Sequence, residues 1–180
     1  MSSLNKIYQR MVRDHLLIVQ SVQASCLMTI GDIIAQKVIE KKSEIELKRT
    51  ARFTVLGLFL VGPSVATWFK FLSNTVGDKD KNAAIKKVVL DQLFFAPGFL
   101  PIFLVALNTI KGNSWQNTKD DIKDKYLDIM KANYKLWPVA QFVNFKFVPF
   151  QYQVLMNQSV AIFWNTYLSW KTTQSMIKTK

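Results

Sequence analysis

The sequence predicts an all-α integral membrane protein: a bundle of four transmembrane helices preceded by an interfacial amphipathic N-terminal segment, all in one domain over residues 1–180. Two observations support this. Four segments are apolar over the length that crosses a bilayer core. Most charged residues lie in the connections between those segments. A buried hairpin in a soluble helical protein would explain the last apolar segment alone, so it is the less favoured interpretation.

The predicted spans cover roughly residues 16–36, 53–72, 88–110 and 139–170. Each of the first three contains a single charged residue, which is Asp32, Lys70 or Asp91 in turn. The only cysteine, Cys26, lies inside the first span, so no disulfide can form within the chain.

The last segment is too long for one straight span. Leu136 to Trp170 is 35 residues with one charge, Lys146, and holds 10 of the 23 aromatic residues. A straight helix of this length would measure about 50 Å, whereas a bilayer core is roughly 30 Å thick. The segment is therefore expected either to kink at Pro149 and tilt steeply, or to enter the membrane as two pieces.

Every predicted span contains residues that disturb a helix. The expected breaks are Gly31, Gly62, Pro63, Pro97, Pro138 and Pro149. Proline inside a helix frees a backbone carbonyl and forces a kink, and in lipid the freed group needs a new partner from a neighbour or from water. Two interpretations stay open: a bundle with an internal polar path, or close packing of small residues.

The charges inside the spans are expected to pair across helices, because an unpaired charge at depth costs several kcal/mol. The order of the spans brings Asp32 near Arg52, and Asp91 near Lys70, so these two structural ion pairs are predicted. Candidates for lining a polar path are Asp32, Gln36, Asp91, Gln92, Gln141, Asn144 and Lys146.

The N-terminal residues 1–15 are amphipathic. At helical spacing Lys6, Arg10 and Arg13 share one face and apolar residues share the opposite one, which is typical of a helix at a membrane surface. The segment also has the basic character of a mitochondrial targeting stretch. An even number of spans puts both termini on one side. Basic residues then divide almost equally between the two sides, so the positive-inside rule gives no orientation.

The net charge of +12 is spread over every connection and both termini. There is no basic run and no zinc-ligand spacing, so direct nucleic-acid binding is not expected. The expected partners are the lipid bilayer, with anionic headgroups contacting the basic residues, and small solutes or ions as permeants. A homo-oligomer is left open.

No catalytic constellation is discernible. His15 is the only histidine, so it has no second histidine with which to complete a metal cluster. No Ser-His-Asp set is discernible, and no Gly-rich phosphate loop occurs. The span order puts Asp32 and Asp91 at opposite membrane faces, too far apart to share a proton. The protein is therefore predicted not to be an enzyme and to need no metal or cofactor.

A set of residues spread over almost the whole chain resembles the Mpv-seventeen and twenty-two-kilodalton peroxisomal membrane protein family. In order they are Gly31-Asp32, Gln36, Arg49, Arg52, Gly62-Pro63, Trp68, Asp91-Gln92, Pro97, Trp137-Pro138, Gln141, Asn144-Phe145, Val148-Pro149, Trp164-Asn165 and Tyr167 to Lys171. The ending YLSWK and the N-terminal YQR resemble the mitochondrial branch more than its peroxisomal relatives. Gln153, where the family usually has arginine, and Leu16, where proline is frequent, depart from the pattern.

The resemblance implies a four-span protein of the mitochondrial inner membrane, with the peroxisomal membrane as the alternative. It also implies a non-selective channel linked to membrane-potential and reactive-oxygen homeostasis and to maintenance of mitochondrial DNA and deoxynucleotide pools. The leading hypothesis is thus a channel or pore-forming protein. The competing hypothesis is a non-conducting structural or scaffold protein whose aromatic helices hold partners or lipid.

Overall fold

The computed structural model describes residues 10–11, 14–77, 82–148 and 150–173. These residues form five helices and no strand, so the all-α prediction is confirmed for this part of the chain. The helices are α1 (Leu16–Ile39), α2 (Leu47–Val76), α3 (Ala83–Lys111), α4 (Trp115–Phe147) and α5 (Phe150–Thr173). Helices α1, α2 and α3 are long and apolar enough to cross a membrane. The predicted amphipathic segment lies largely outside the described residues.

Three helices contain a wide π-helical turn, over Ala35–Ile39, Gly57–Val61 and Asp91–Phe95. The second and third turns come directly before Gly62-Pro63 and Ala96-Pro97. Proline cannot donate a backbone hydrogen bond, and its ring clashes with the carbonyl four residues earlier. In a π-turn each amide instead bonds to the carbonyl five residues back, as Gly62 N–H does to the Gly57 carbonyl. The predicted breaks at Pro63 and Pro97 are therefore absorbed within continuous helices.

Close backbone contact joins α1 to α2. A Cβ atom added at Gly62 would lie 2.3 Å from Ser21 Cα, and one added at Gly57 would lie 2.6 Å from Ser25 Cα. Small residues at such positions let membrane helices approach closely and gain van der Waals contact. Because rising residue numbers in α2 meet falling numbers in α1, the two helices are antiparallel.

Gly31 has a similar role between α1 and α5 rather than the predicted role of a helix break. Helix α1 continues through it, and an added Cβ would lie 2.7 Å from Asn165 Cβ and 2.9 Å from the Thr166 backbone nitrogen. Gly31 is thus required by close packing, which is the second of the two interpretations left open for the helix-disturbing residues.

The last apolar segment forms two antiparallel helices instead of one span over 139–170. Val148 has extended backbone angles, as expected for a residue before proline, and ends α4. The hairpin is visible in pairs that lie ever farther from this joint: Trp137 and Trp164 rings are 6.1 Å apart, and Lys171 Nζ lies 2.8 Å from Asp128 Oδ2. Helix α4 passes through Pro138 without a break, and Pro149 lies outside the described residues.

Each of the five helices runs antiparallel to the helix that follows it in the chain. The beginning of α1 and the end of α5 therefore lie at opposite ends of the bundle. The sequence-based expectation of four spans, with both termini on one side, is therefore not met by the described helices. The end where α1, α3 and α5 finish, called the basic end here, comprises residues 37–49, 111–125 and 171–173 and carries many lysines.

The apolar core lies among all five helices, close to the basic end, and includes Met28 of α1 and Leu168 of α5. Its fully buried members include Phe53, Phe103, Leu104, Leu107 and Ile129. Large apolar side chains on the outer faces are by contrast widely exposed, among them Ile18, Phe59, Leu93, Phe94 and Phe163. An apolar exterior around polar interior groups is the arrangement expected of a bundle surrounded by lipid.

Candidate functional site

A buried polar network centred on Asp32 joins α1, α2 and α5 near the basic end. The Asp32 carboxylate is fully buried and accepts four hydrogen bonds. Arg49 Nε donates to Oδ1 over 2.7 Å and Ser169 Oγ donates to Oδ1 over 2.5 Å. Gln36 Nε2 and Thr50 Oγ1 donate to Oδ2 over 2.7 and 2.6 Å. This Asp32 network satisfies a charge that would otherwise be costly at this depth.

The other edge of the Arg49 guanidinium binds the Glu40 carboxylate in a bidentate pair at 2.8 and 2.7 Å. Lys42 Nζ lies 3.1 Å from the same carboxylate. Burial alone would raise the pKa of Glu40, but the hydrogen bonds from Arg49 and Lys42 outweigh burial and leave that pKa below its ordinary value. The connection between α1 and α2 is thereby fastened to the buried arginine.

The cation that pairs with Asp32 is Arg49, not Arg52 as predicted. Helix α2 begins at Leu47, well before the predicted start of the span at 53, so Arg49 already lies on the buried face of its first turn. Arg52 follows three residues later and is half-buried.

A second network, centred on Asp91, joins α2, α3 and α4 in the other half of the bundle. Trp68 Nε1 donates to Asp91 Oδ1 over 2.9 Å, and Gln92 Nε2 donates to Oδ2 over 2.8 Å. Gln92 is held in turn from α4, since Asn133 Nδ2 donates to its Oε1 over 2.8 Å and Tyr134 Oη donates to its backbone carbonyl over 3.1 Å. Each contact fixes the position of the Asp91 carboxylate.

The predicted pair between Asp91 and Lys70 does not form. Lys70 is exposed, whereas Trp68, two residues earlier and so on the opposite side of α2, faces α3. Among the described residues no lysine or arginine forms an ion pair with Asp91. Asp91 is only 5% exposed, so its carboxylate has little contact with bulk solvent and no cationic partner within this part of the chain.

A cavity of about 130 Å³ lies between all five helices, beside the Asp91 network. Its polar lining comes from one carboxylate and five amides: Gln20, Asp91, Asn133, Gln141, Asn157 and Asn165. Its aromatic lining comes from Phe69, Phe95, Phe99, Phe103, Trp137 and Trp164. Polar groups and rings thus converge on one space inside an apolar bundle.

Two amides on the inner face of α4 lack hydrogen-bond partners. Within the described part of the chain, Gln141 Oε1 and both terminal atoms of Asn144 have none, although Gln141 is 3% exposed and Asn144 is 1% exposed. An unsatisfied polar group buried in a protein costs about 1–3 kcal/mol. Such groups are typically retained where water or a ligand can satisfy them.

The structure divides the seven predicted lining residues into five groups. Asp91 and Gln141 line the cavity, Gln92 holds Asp91, Asn144 is buried one turn beyond Gln141, and Asp32 and Gln36 belong to the other network. Lys146 lies on the outer surface instead, with Nζ 5.1 Å from the ring centre of Phe142. It follows Asn144 by two residues, which turns it to the opposite face of the helix.

Four lining amides and two key donors were not among the predicted site residues. They are Gln20, Asn133, Asn157, Asn165, Trp68 and Arg49. The α4 members could have been found from spacing, because Asn133, Trp137, Gln141 and Asn144 recur at helical intervals on one face. The α5 members were not separable while α5 and the end of α4 were treated as one span.

A third polar cluster closes the basic end between α3, α4 and α5. Lys125 Nζ lies 2.5 Å from Asp121 Oδ1, and Asn108 Nδ2 donates to Asp121 Oδ2 over 2.9 Å. Burial would raise the pKa of Asp121, but these bonds hold it below its ordinary value. Lys111 and Lys125 both donate to the Thr172 carbonyl, over 3.1 and 2.9 Å. Cations there complement the negative end of the α5 dipole.

These features together define a class. Helices able to span a bilayer, an apolar exterior and buried charges held in polar networks are features of a multi-pass helical membrane protein.

Comparison with known proteins identifies the family. The sequence model of the Mpv17 / PMP22 family matches residues 108–169 of this chain. "Mitochondrial inner membrane protein Mpv17" of Danio rerio is 38% identical over 95% of this chain and 98% of its own length, and that of Mus musculus is 40% identical over 96% and 99%. "Protein SYM1" of Gibberella zeae is 36% identical over 97% and 100%. The chain belongs to the Mpv17 / PMP22 family. No solved structure matches it.

The relatives named Mpv17 also bear on localisation. Their names describe mitochondrial inner membrane proteins, and three of the described helices here are long and apolar enough to span a membrane. The prediction of a multi-pass protein of the mitochondrial inner membrane is confirmed on these grounds, in preference to the peroxisomal alternative.

Proposed function

We propose that this protein is a channel that lets small solutes or ions cross the mitochondrial inner membrane, and that the cavity beside Asp91 is part of its permeation path. The observation that carries the proposal is the set of polar groups around this cavity. One buried carboxylate and five amides converge there, and Gln141 Oε1 has no partner. A bundle evolved only for stable packing would replace these groups with apolar side chains.

The described conformation is closed toward the basic end. Beyond Phe103, which lines the cavity, α3 continues with the fully buried Leu104 and Leu107, and the Asp32 network follows at the same end. Conduction therefore requires these layers to separate. The Asp32 network, which ties α1 and α2 to α5, is the part that would have to yield or move as a unit.

The experiment is solute flux into liposomes that contain the purified protein. We expect small solutes to enter at a rate that rises with protein content, and we expect Asp91→Asn to change that rate or its dependence on solute charge. The matched control is Asp120→Asn, which removes an exposed carboxylate from α4. Correctly folded protein without flux would contradict the proposal.

The second candidate is a non-conducting structural or scaffold protein. The apolar layer near the basic end and the fully paired Asp32 carboxylate favour it, since both stabilise a closed bundle. Recovery of a stoichiometric complex together with silent liposomes would support this alternative.

The remaining parts of the proposal rest on composition and on the family resemblance. We infer that the basic end contacts anionic lipid headgroups, at about 1 kcal/mol for each nearby cation, and that the protein can form homo-oligomers. The proposed role in membrane-potential and reactive-oxygen homeostasis, and in maintenance of mitochondrial DNA and deoxynucleotides, follows from the family. Catalysis and direct nucleic-acid binding are not part of the proposal.

A further inference from the structure

Asp91 is a buried carboxylate without a positive partner among the described residues. Its oxygens accept one hydrogen bond each, from Trp68 and from Gln92. A carboxylate offers about four acceptor sites, so half of its capacity is unused. An ionised carboxylate in a membrane interior costs several kcal/mol unless a cation compensates it.

Two lysines on the helices that hold Asp91 and Trp68 do not provide that compensation. Lys87, one turn before Asp91 on α3, has its Nζ 5.7 Å from the ring centre of Phe145 and forms no ion pair with Asp91. Lys70 is exposed on the far side of α2. The described residues of the helices packed around Asp91 therefore supply no cation that pairs with its carboxylate.

A second unsatisfied acceptor belongs to a residue of the same cavity lining. Gln141 lines the cavity together with Asp91, and its buried Oε1 receives no hydrogen bond from the described residues. Two acceptor groups from α3 and α4, one of them negative, therefore share one small space. A complementary group would carry a positive charge and several N–H donors.

The apolar part of the cavity fits the same group. Phe95 and Phe99 are stacked with ring centres 5.0 Å apart, and Trp137 lines the cavity from α4. Aromatic faces attract cations, more strongly when water is excluded. The volume of about 130 Å³ resembles that of a cavity known to hold benzene, roughly 150 Å³, so only a small molecule fits.

We propose that this cavity binds a small primary ammonium compound, with Asp91 as its counter-charge and Gln141 Oε1 as a second acceptor. A primary ammonium carries three N–H donors and no acceptor, which matches the unused acceptor capacity of Asp91 and the unsatisfied Gln141 Oε1. The inference rests on the proposed function in treating this compound as a permeant; binding itself does not require conduction.

The test is binding of propylammonium chloride to the purified full-length protein in detergent, measured by saturation-transfer NMR. Propanol and propionate serve as the neutral and negative analogues. We expect propylammonium to bind more tightly than either analogue. Asp91→Asn should weaken its binding about tenfold or more, because a charged hydrogen bond is lost. Gln141→Leu should weaken it severalfold, and the exposed control Asp120→Asn should leave it unchanged.

Equal binding of propanol and propylammonium, or unchanged affinity in a folded Asp91→Asn variant, would overturn the inference. Trp68→Phe covers the case in which Asp91→Asn fails to fold. It keeps an aromatic ring but frees one Asp91 oxygen, so it should bind propylammonium at least as tightly, and a clear loss would also count against the site. Specific binding by protein that gives no flux would remove the channel proposal alone, whereas flux without ammonium binding would remove this inference alone.

Discussion

Replacing Arg49 with methionine tests whether the Asp32 network holds the bundle together. Arg49 is buried, and the substitution removes its bonds to Asp32, Glu40 and Ser169 while keeping a long apolar stem. Removing one partner of a buried ion pair typically costs 3–5 kcal/mol, because the other charge is left uncompensated.

The structure favours the lower part of that range. Asp32 keeps donors from Gln36, Thr50 and Ser169, and the partly exposed Glu40 keeps Lys42. We therefore expect Arg49→Met to lower the free energy of unfolding by about 3 kcal/mol, which is more than a hundredfold in the folding equilibrium.

The assay is unfolding in mixed micelles with increasing SDS, followed by tryptophan fluorescence and circular dichroism. Arg52→Met is the matched control, three residues later on the same helix, and should change stability by no more than about 0.5 kcal/mol. A double-mutant cycle with Asp32→Asn isolates the pair, and the double mutant should lose less than the two single losses combined. Equal losses at positions 49 and 52, or strict additivity, would refute the assignment.

Three further predictions concern packing, pH and topology. Gly62→Val should destabilise the protein by about 1–3 kcal/mol or more in the same SDS titration, since an added Cβ would clash with Ser21. Gly98→Ala is the control and should be neutral or stabilising, because nothing lies within 4 Å of a Cβ at that position. Equal effects of the two substitutions would contradict the close packing of α1 against α2. Glu40 and Asp121 have lowered pKa values in the folded protein. The stability that they contribute is therefore present above their unfolded pKa values and should be lost as the pH falls below about 4. Glu40→Gln should reduce this acid sensitivity, and an unchanged dependence of stability on pH in that variant would contradict the assigned role of Glu40. Tags at the two chain termini should lie on opposite sides of the membrane in protease-protection experiments, and protection of both from the same side would contradict the five-helix arrangement.

The helical, membrane-embedded character of the chain could be predicted because it depends on composition over long windows. Apolar segments long enough to cross a bilayer, with charged residues between them, are compatible with few structures other than a bundle of membrane-spanning helices. The prolines were also informative, but their effect depended on backbone detail. Pro63 and Pro97 follow π-turns that keep their helices continuous. The residue pattern used to predict the helices does not predict a π-turn.

The predicted ion pairs failed for a geometric reason. Partner choice depends on which residue of a turn faces inward, and the hydropathy of a span does not identify that residue. Arg49 and Arg52 differ by one turn, and Lys70 and Trp68 by two residues, yet only one of each faces its aspartate. Asp32 and Asp91 could be predicted to lie in buried polar networks, because each is the single charged residue of an apolar span. Their hydrogen-bond partners could not be predicted in the same way.

The hairpin of α4 and α5 was the largest departure. The apolar stretch from Leu136 is continuous in hydropathy, whereas the charged segment before it belongs to the same helix. Hydropathy therefore divided α4 into a charged segment and an apolar segment, although both belong to one helix. It also merged the apolar end of α4 with α5, although these are two helices. The excessive length of the stretch did indicate that one straight span was untenable.

The central claim is that conduction passes through the cavity beside Asp91, and cysteine modification during single-channel recording tests it most directly. In a Cys26→Ser background, Gln141→Cys puts a thiol in the cavity lining and Lys146→Cys puts one on the outer face of the same helix. A positively charged methanethiosulfonate reagent should reduce or abolish the current through the Gln141→Cys protein and leave the Lys146→Cys current unchanged. An unaffected Gln141→Cys current, or equal block at both positions, would contradict the account.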